Sequence, residues 1–182
     1  FYRGVNGIVV RSFDDRSTDR ATSSHHADDL LATLAESGIP LDTTMHLRDG
    51  EAKVSDLLET SLSRFHLDQL EYEWTAIAYA RYVFPQGEWR NKFGQRIDVD
   101  QLVDEIVSHP PDLGPCNGLH RLEALAVLNR ADEQVRALNR RTKLKILLYM
   151  KRASMLLAEA QTTDGYWTRQ WPQGQAAANP DK

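Results

Sequence analysis

The chain has 182 residues, of which 41% are hydrophobic and 26% charged, and its formal net charge is −4. These values predict one soluble globular domain, or a compact part of a larger one, with enough apolar residues to bury a core. The negative charge argues against a nucleic-acid partner, which needs a basic face. No apolar run reaches the roughly 20 residues that span a bilayer.

The cysteine count and the first residue indicate which covalent links and which processing the chain can have. The single cysteine, Cys116, excludes an intramolecular disulfide and a multi-cysteine zinc knuckle, but it leaves the compartment open. The chain begins at Phe1 rather than at Met. We therefore expect a processed or excised product, preceded by a signal peptide, an anchor or another part of the domain.

The first half of the chain predicts three helices. Residues 1–24 are expected to form an irregular arm, and a helix over about 25–36 is expected to be capped by Ser23 or Ser24. The polar segment 42–49 reads as a loop. Two further helices follow, with a tight turn at 66–68 that would make them antiparallel neighbours. Their apolar stripes are Val54, Leu57, Leu58, Leu62 and Phe65, and then Leu70, Trp74, Ile77, Ala78 and Tyr82.

The second half predicts three more helices and no strand. Residues 85–95 carry two turn signals, and Asp98 is the expected cap of a helix that ends at Pro110. A helix over about 119–128 follows, and the last one, 139–159, has leucines that we expect on a buried face. Residues 172–182 are predicted to be a disordered tail after a helical domain over 25–171. The predicted fold is all-α, with about six helices in antiparallel pairs.

The stretch from Arg152 to Trp167 resembles a known repeat. Its spacing runs basic–small, aliphatic, Gln, Gly, any residue, Trp, and Leu156 stands where an aromatic residue is usual. Gln86-Gly87-Glu88-Trp89 is similar to a degraded second copy. The matching positions are Arg152, Ala153, Leu157, Gln161, Gly165 and Trp167.

This pattern resembles the repeat of the α/α-toroid superfamily, which includes terpenoid cyclases and protein prenyltransferase β subunits. The resemblance implies an α/α-toroid-like array, half or open because about six helices do not close the double ring. It also implies that Gln161 and Trp167 tie neighbouring helix ends together, a structural role. The open ends of such an array favour a homo-oligomer or contact with a missing part of the parent chain.

Cys116 and His120 are the first candidates for chemistry. A helix start near Cys116 would favour a thiolate, and His120 would lie one turn further on the same face. The pair could act as nucleophile and base, or as two zinc ligands. Some toroid enzymes bind zinc through Asp, Cys and His, but here the flanking residues depart from those patterns. The alternative is a small buried thiol and a hydrogen-bonded helix histidine.

Glu71 and Glu73 are the second candidates. Carboxylates two residues apart on a helix point in different directions, so they do not form a ready acid–base pair. If a pocket exists, one of them is the predicted carboxylate, and the alternative is a structural role. Asp14, Asp15 and Asp19 match the Asp-Asp-x-x-x-Asp pattern of a magnesium-binding motif. Such a site needs a second acidic motif, which the sequence lacks, and Arg16 offsets the charge, so we expect a solvated segment.

Two hypotheses of function follow. The first is a toroid-like scaffold that binds a small molecule or a protein partner and lacks the acid motif of the cyclases. The alternative is an enzyme or metal-binding protein in which Cys116 and His120 converge with a carboxylate in a concave pocket. Zinc is the cofactor that this alternative implies.

Overall fold

The computed structural model describes residues 2–4, 7–9, 28–69, 71–84, 86–111 and 115–178. Helices and short strands alternate along these residues. The helices are α1 (Asp29–Glu36), α2 (Val54–Arg64), α3 (Glu73–Tyr82), α4 (Val99–Ser108), α5 (Leu119–Val135), α6 (Arg140–Ala160) and α7 (Gln175–Ala178). The strands are β1 (Tyr2–Gly4), β2 (Gly7–Val9), β3 (Thr44–Leu47), β4 (Gly50–Lys53), β5 (Glu88–Arg90) and β6 (Arg96–Asp98).

The prediction of an all-α fold is wrong, because the strands form three antiparallel hairpins, β1–β2, β3–β4 and β5–β6. The two segments that read as loops, 42–49 and 85–95, contribute β3 and β5. These strands are only three or four residues long and partly exposed, so their apolar alternation is too brief to predict a strand. Trp89 lies in β5 opposite Ile97, so it is a core residue of a hairpin rather than part of a second repeat.

The core lies around α3, whose main helical neighbours are α1 and α5 rather than α2. Almost every side chain of α3 is buried, which explains why the helix is rich in alanine and aromatic residues. The predicted antiparallel packing of α2 against α3 is therefore not the main contact of either helix. Instead α2 receives the β1–β2 hairpin, where the buried amide of Ile8 donates to Thr60 Oγ1 at 3.1 Å.

Two predicted helix starts are confirmed by their caps. Asp98 accepts a bond from the amide of Gln101 at 2.8 Å and so begins α4. Asn139 accepts one from the amide of Thr142 at 2.9 Å and begins α6. The expected caps Ser23 and Ser24 lie outside the described residues.

Residues 172–178 of the predicted disordered tail take part in short helices, and residues 179–182 lie outside the described residues. Trp171 begins a short 3-10 helix (Trp171–Gln173) and is 2% exposed, and its indole donates to the carbonyl of Asn117 at 3.1 Å. Ala177 of α7 packs with it against Ala153 and Ala160. The second half of α6 thus has its own small core, built by the residues that follow it.

Candidate functional site

The predicted pair of Cys116 and His120 does not share a continuous helix. Cys116 lies in the short 3-10 helix Pro115–Gly118, and its side chain is outside the described part of the chain. Asn117 and Gly118 have φ values of 55° and 79°, which break the helix before α5 begins at Leu119. Gly118 is required there, because a Cβ would lie 1.8 Å from the carbonyl oxygen of Pro111.

His120 is engaged within the protein. Its ring centroid lies 4.6 Å from that of Trp74, and its Nδ1 lies 3.3 Å from the carboxylate of Glu123, one turn along α5. Among the residues that the structure describes, no three His, Cys, Asp or Glu side chains are grouped so as to hold a metal ion. The zinc hypothesis for Cys116 and His120 stays a prediction.

Glu73 forms a buried ion pair with Arg121. The two side chains are 1% and 5% exposed, and Arg121 donates to Glu73 Oε1 through Nε at 3.2 Å and Nη2 at 3.0 Å. Arg121 Nη1 also donates to the carbonyl of Pro110 at 2.7 Å, and Glu73 Oε2 accepts from the amide of Tyr72. These bonds satisfy both charges and point to a structural role for Glu73. Glu71 is half-buried in the segment that precedes α3.

A second buried polar cluster, which the sequence did not indicate, joins α1, α2 and α3. Asp28 accepts bonds from the hydroxyls of Ser61 and Thr75, both at 2.7 Å, and Ser61 lies 2.8 Å from the hydroxyl of Tyr79. Burial raises the pKa of Asp28, and the two hydroxyl donors oppose that rise. Burial also raises the pKa of Tyr79. Ser61, Thr75 and Tyr79 are buried and Asp28 is half-buried, and their hydrogen bonds tie three helices together.

The repeat-like stretch closes the end of its own helix. Trp167 Nε1 donates to the carbonyl of Leu157 at 2.7 Å, and Gln161 Nε2 donates to the carbonyl of Gly165 at 3.1 Å. Both bonds stay between residues 157 and 167, and Trp167 is 49% exposed. Trp167 therefore satisfies one free carbonyl at the end of α6, and Gln161 bonds within the loop that follows, whereas the resemblance implies a link between neighbouring helices.

α6 is apolar on two opposite sides. The inner side packs into the protein through buried residues that include Thr142, Ile146, Ala153 and Ala160. The opposite side exposes four large apolar side chains, each between 55% and 58% accessible: Leu144, Leu147, Leu148 and Met155. The prediction that the leucines of this helix lie on a buried face is wrong for these three leucines.

The same side of α6 is strongly basic. Arg140, Arg141, Lys151 and Arg152 are exposed beside the apolar residues, and Glu159 is the acidic residue of the helix. These four cations form no ion pair with any residue that the structure describes, whereas Lys143 and Lys145 pair with Asp132 and Asp104. We call the four apolar and four basic residues the outer face of α6.

A cleft opens beside the outer face, between the end of α4 and α6. It encloses about 220 Å³ and is lined by residues that include His109, Pro110, Tyr149, Arg152 and Ala153. The hydroxyl of Tyr149 lies 3.4 Å from the carbonyl of His109, and His109 Nε2 lies 3.3 Å from Glu105 Oε1. Arg152 and Ala153, the first residues of the repeat-like stretch, thus line a cleft.

None of the described helices is both long enough and apolar enough to cross a membrane. Asp14, Asp15 and Asp19 lie outside the described residues. No protein-family model, curated protein or solved structure matches this chain. The resemblance of residues 152–167 to the toroid repeat stays a prediction.

Proposed function

We propose that the protein is a docking scaffold that binds an acidic, amphipathic helix of a partner protein on the outer face of α6. The observation that carries the proposal is the exposure of four large apolar side chains on one side of a helix whose other side is packed. Single exposed leucines are ordinary, but a contiguous apolar stripe rimmed by polar residues marks an interaction surface.

The spacing of the stripe fits a helical partner. Leu144, Leu148, Lys151, Met155 and Ala158 follow one another at intervals of four, three, four and three residues. This is the 3.5-residue repeat with which two helices keep one seam in contact. At 1.5 Å per residue the seam from Leu144 to Ala158 is about 21 Å long, enough for about four turns of a partner helix.

The charge of the face specifies the chemistry of that helix. Arg140, Arg141 and Arg152 flank the stripe and Lys151 lies within it. None of the four forms an ion pair with a residue that the structure describes, in a chain whose net charge is −4. Acidic side chains on either side of an apolar partner seam would pair with them and steer the encounter.

A second copy of this chain fits the face less well. In a parallel pair of α6 helices, every cation would face its own copy. In an antiparallel pair that covers both Leu144 and Met155, the two-fold axis falls midway between them. Lys151 would then lie opposite Leu148 and Arg152 opposite Leu147 of the other copy, and a charge placed against an apolar side chain disfavours that contact.

The test uses synthetic 21-residue helical peptides with leucine at the seam positions. One peptide carries glutamate beside the seam and the other carries lysine. We expect the acidic peptide to bind and the basic peptide to fail. The Leu148→Ser variant should weaken binding roughly thirtyfold, the effect of a central contact worth about 2 kcal/mol. Fluorescence anisotropy measures both affinities.

The matched control is Phe93→Ser, which removes an equally exposed apolar side chain from the turn between β5 and β6. Its affinity for the acidic peptide should equal that of the unchanged protein. Equal binding of the two peptides would contradict the proposal. So would dimerisation in sedimentation experiments that Leu148→Ser abolishes, or binding to anionic phosphatidylserine vesicles in place of the peptide.

A further inference from the structure

The cleft beside the outer face is lined by one basic side chain, Arg152. Two nearby carboxylates contact other side chains: Glu73 pairs with Arg121, and Glu105 Oε1 lies 3.3 Å from His109 Nε2. Arg152 lines the cleft and forms no ion pair with any described residue. An unpaired guanidinium presents a planar fork of donors that matches the two oxygens of a carboxylate.

Tyr149 supplies a second donor. A tyrosine hydroxyl is protonated at neutral pH and can donate. Burial raises the pKa of this hydroxyl further, and the neighbouring guanidinium of Arg121 opposes that rise. The bond it makes to the carbonyl of His109 is long, at 3.4 Å, and would be exchanged at little cost for a better acceptor. Tyr149 and Arg152 lie three residues apart on α6, so both groups project from one side of the helix.

The size of the cleft limits what can enter it. Its volume of about 220 Å³ is below the 300–1,000 Å³ typical of sites for drug-sized ligands. A carboxylate with a short carbon chain fits such a space. Ala153 and Pro110 at the wall give that carbon chain an apolar surface to contact.

We infer that this cleft is a carboxylate-binding site in which Arg152 and Tyr149 hold the two oxygens. Because Arg152 follows Leu148 by one helical turn, the site adjoins the seam of the outer face. A partner helix on that seam can place a glutamate or aspartate side chain in the cleft, which fixes its register. That the carboxylate belongs to a partner side chain rests on the proposed docking function. The carboxylate site itself does not depend on that function.

The site is tested with glutarate as the probe, by following backbone amide signals in ¹H–¹⁵N NMR spectra. Glutarate should shift the signals of Ser108, His109 and Ala153 in a saturable way. Arg152→Gln should weaken binding about tenfold or more, and Tyr149→Phe by a smaller factor. The matched control is Arg141→Gln, which removes an exposed cation from the same helix away from the cleft.

Unsaturable shifts would overturn the carboxylate site, and so would equal weakening by Arg141→Gln and Arg152→Gln, since both indicate general charge screening. Tighter binding of inorganic phosphate than of glutarate would overturn the assignment of the ligand class. The spectra also show whether each variant keeps its fold.

Two further arms separate the site from the docking function. Leu148→Ser should leave glutarate binding unchanged while it weakens the acidic peptide. The acidic peptide should displace glutarate from the unchanged protein. If it binds without displacing glutarate, the cleft serves a free small acid and the partner side chain is excluded. If glutarate binds and no peptide does, the docking function fails while the carboxylate site stands.

Discussion

The inside of the α5–α6 hairpin and the outer face of α6 use the same residue types in opposite surroundings. Inside, Ile146 is 0% exposed and Arg121 is 4% exposed. Outside, Leu148 is 58% exposed, and Arg152 pairs with no residue that the structure describes. The inner residues find their partners within the chain, whereas the outer ones have none among the residues that the structure describes.

This difference separates residues that hold the fold from residues available to a ligand. Arg121 donates hydrogen bonds to Glu73 and to the carbonyl of Pro110, so it anchors α5 to α3 and to the end of α4. Arg152 makes no such link to any residue that the structure describes, and its loss should leave the fold unchanged. Stability and binding should therefore respond to different substitutions.

The largest expected effect comes from Arg121→Ala. It leaves the carboxylate of Glu73 buried without a counter-charge, and we expect the free energy of unfolding to fall by about 3–5 kcal/mol. Arg152→Ala should change it by less than about 0.5 kcal/mol, because exposed residues without partners contribute little. Urea unfolding followed by circular dichroism measures both values.

The double variant Glu73→Leu with Arg121→Met tests whether the two charges are coupled. It removes both charges at once and should recover most of the loss. If the double variant loses as much unfolding free energy as Glu73→Leu and Arg121→Met lose together as single variants, the ion pair is not the reason for the cost.

An intermediate effect is expected from the apolar pair. Ile146→Ala opens a cavity in the core and should cost about 2–5 kcal/mol, whereas Leu148→Ala should cost less than about 1 kcal/mol. Both substitutions lie on α6, so helix propensity nearly cancels between them. An equal cost that grows with protein concentration would mean that Leu148 is covered by a second copy.

Local signals made several parts of the fold predictable. The caps at Asp98 and Asn139, the stop at Pro110 and the stripe of α2 depend on neighbouring residues, so they can be read along the chain. The three hairpins could not be predicted, because strands of three or four residues carry too little alternation. The segment 171–178 is ordered through Trp171, whose contact with Asn117 spans 54 residues.

The candidate site was only partly within reach of the sequence. The sequence indicates Arg152 as the first residue of a repeat-like motif. His109, at the end of α4, and Tyr149, in α6, come together only in the fold. The apolar character of α6 was visible, but which leucines face inward depends on how α4, α5 and the segment after α6 cover the helix. The break at Gly118 depends on contact with Pro111 and was not predictable from spacing.

Asp28 and Glu73 are two carboxylates that the fold holds in different ways. Its carboxylate is held by the hydroxyls of Ser61 and Thr75, whereas Glu73 is held by a guanidinium. Burial raises the pKa of Asp28 more strongly than these two hydrogen bonds lower it; Asp29 adds to the rise and Arg64 opposes it. The folded protein therefore binds a proton more tightly at this position than the unfolded chain does.

The smallest predicted effect follows from that shift and has a definite sign. Between the unfolded pKa near 3.8 and the raised folded pKa, the native state binds more protons, so the contribution of Asp28 to stability falls as pH rises. Asp28→Asn keeps an acceptor for Ser61 and Thr75 but cannot ionise. The variant and the unchanged protein should be equally stable near pH 4, and the variant should become the more stable of the two towards pH 7. Urea unfolding at each pH measures both free energies of unfolding. If the free energy of unfolding of the unchanged protein instead rises relative to that of the variant as pH rises, the hydroxyl donors outweigh burial in setting the pKa of Asp28.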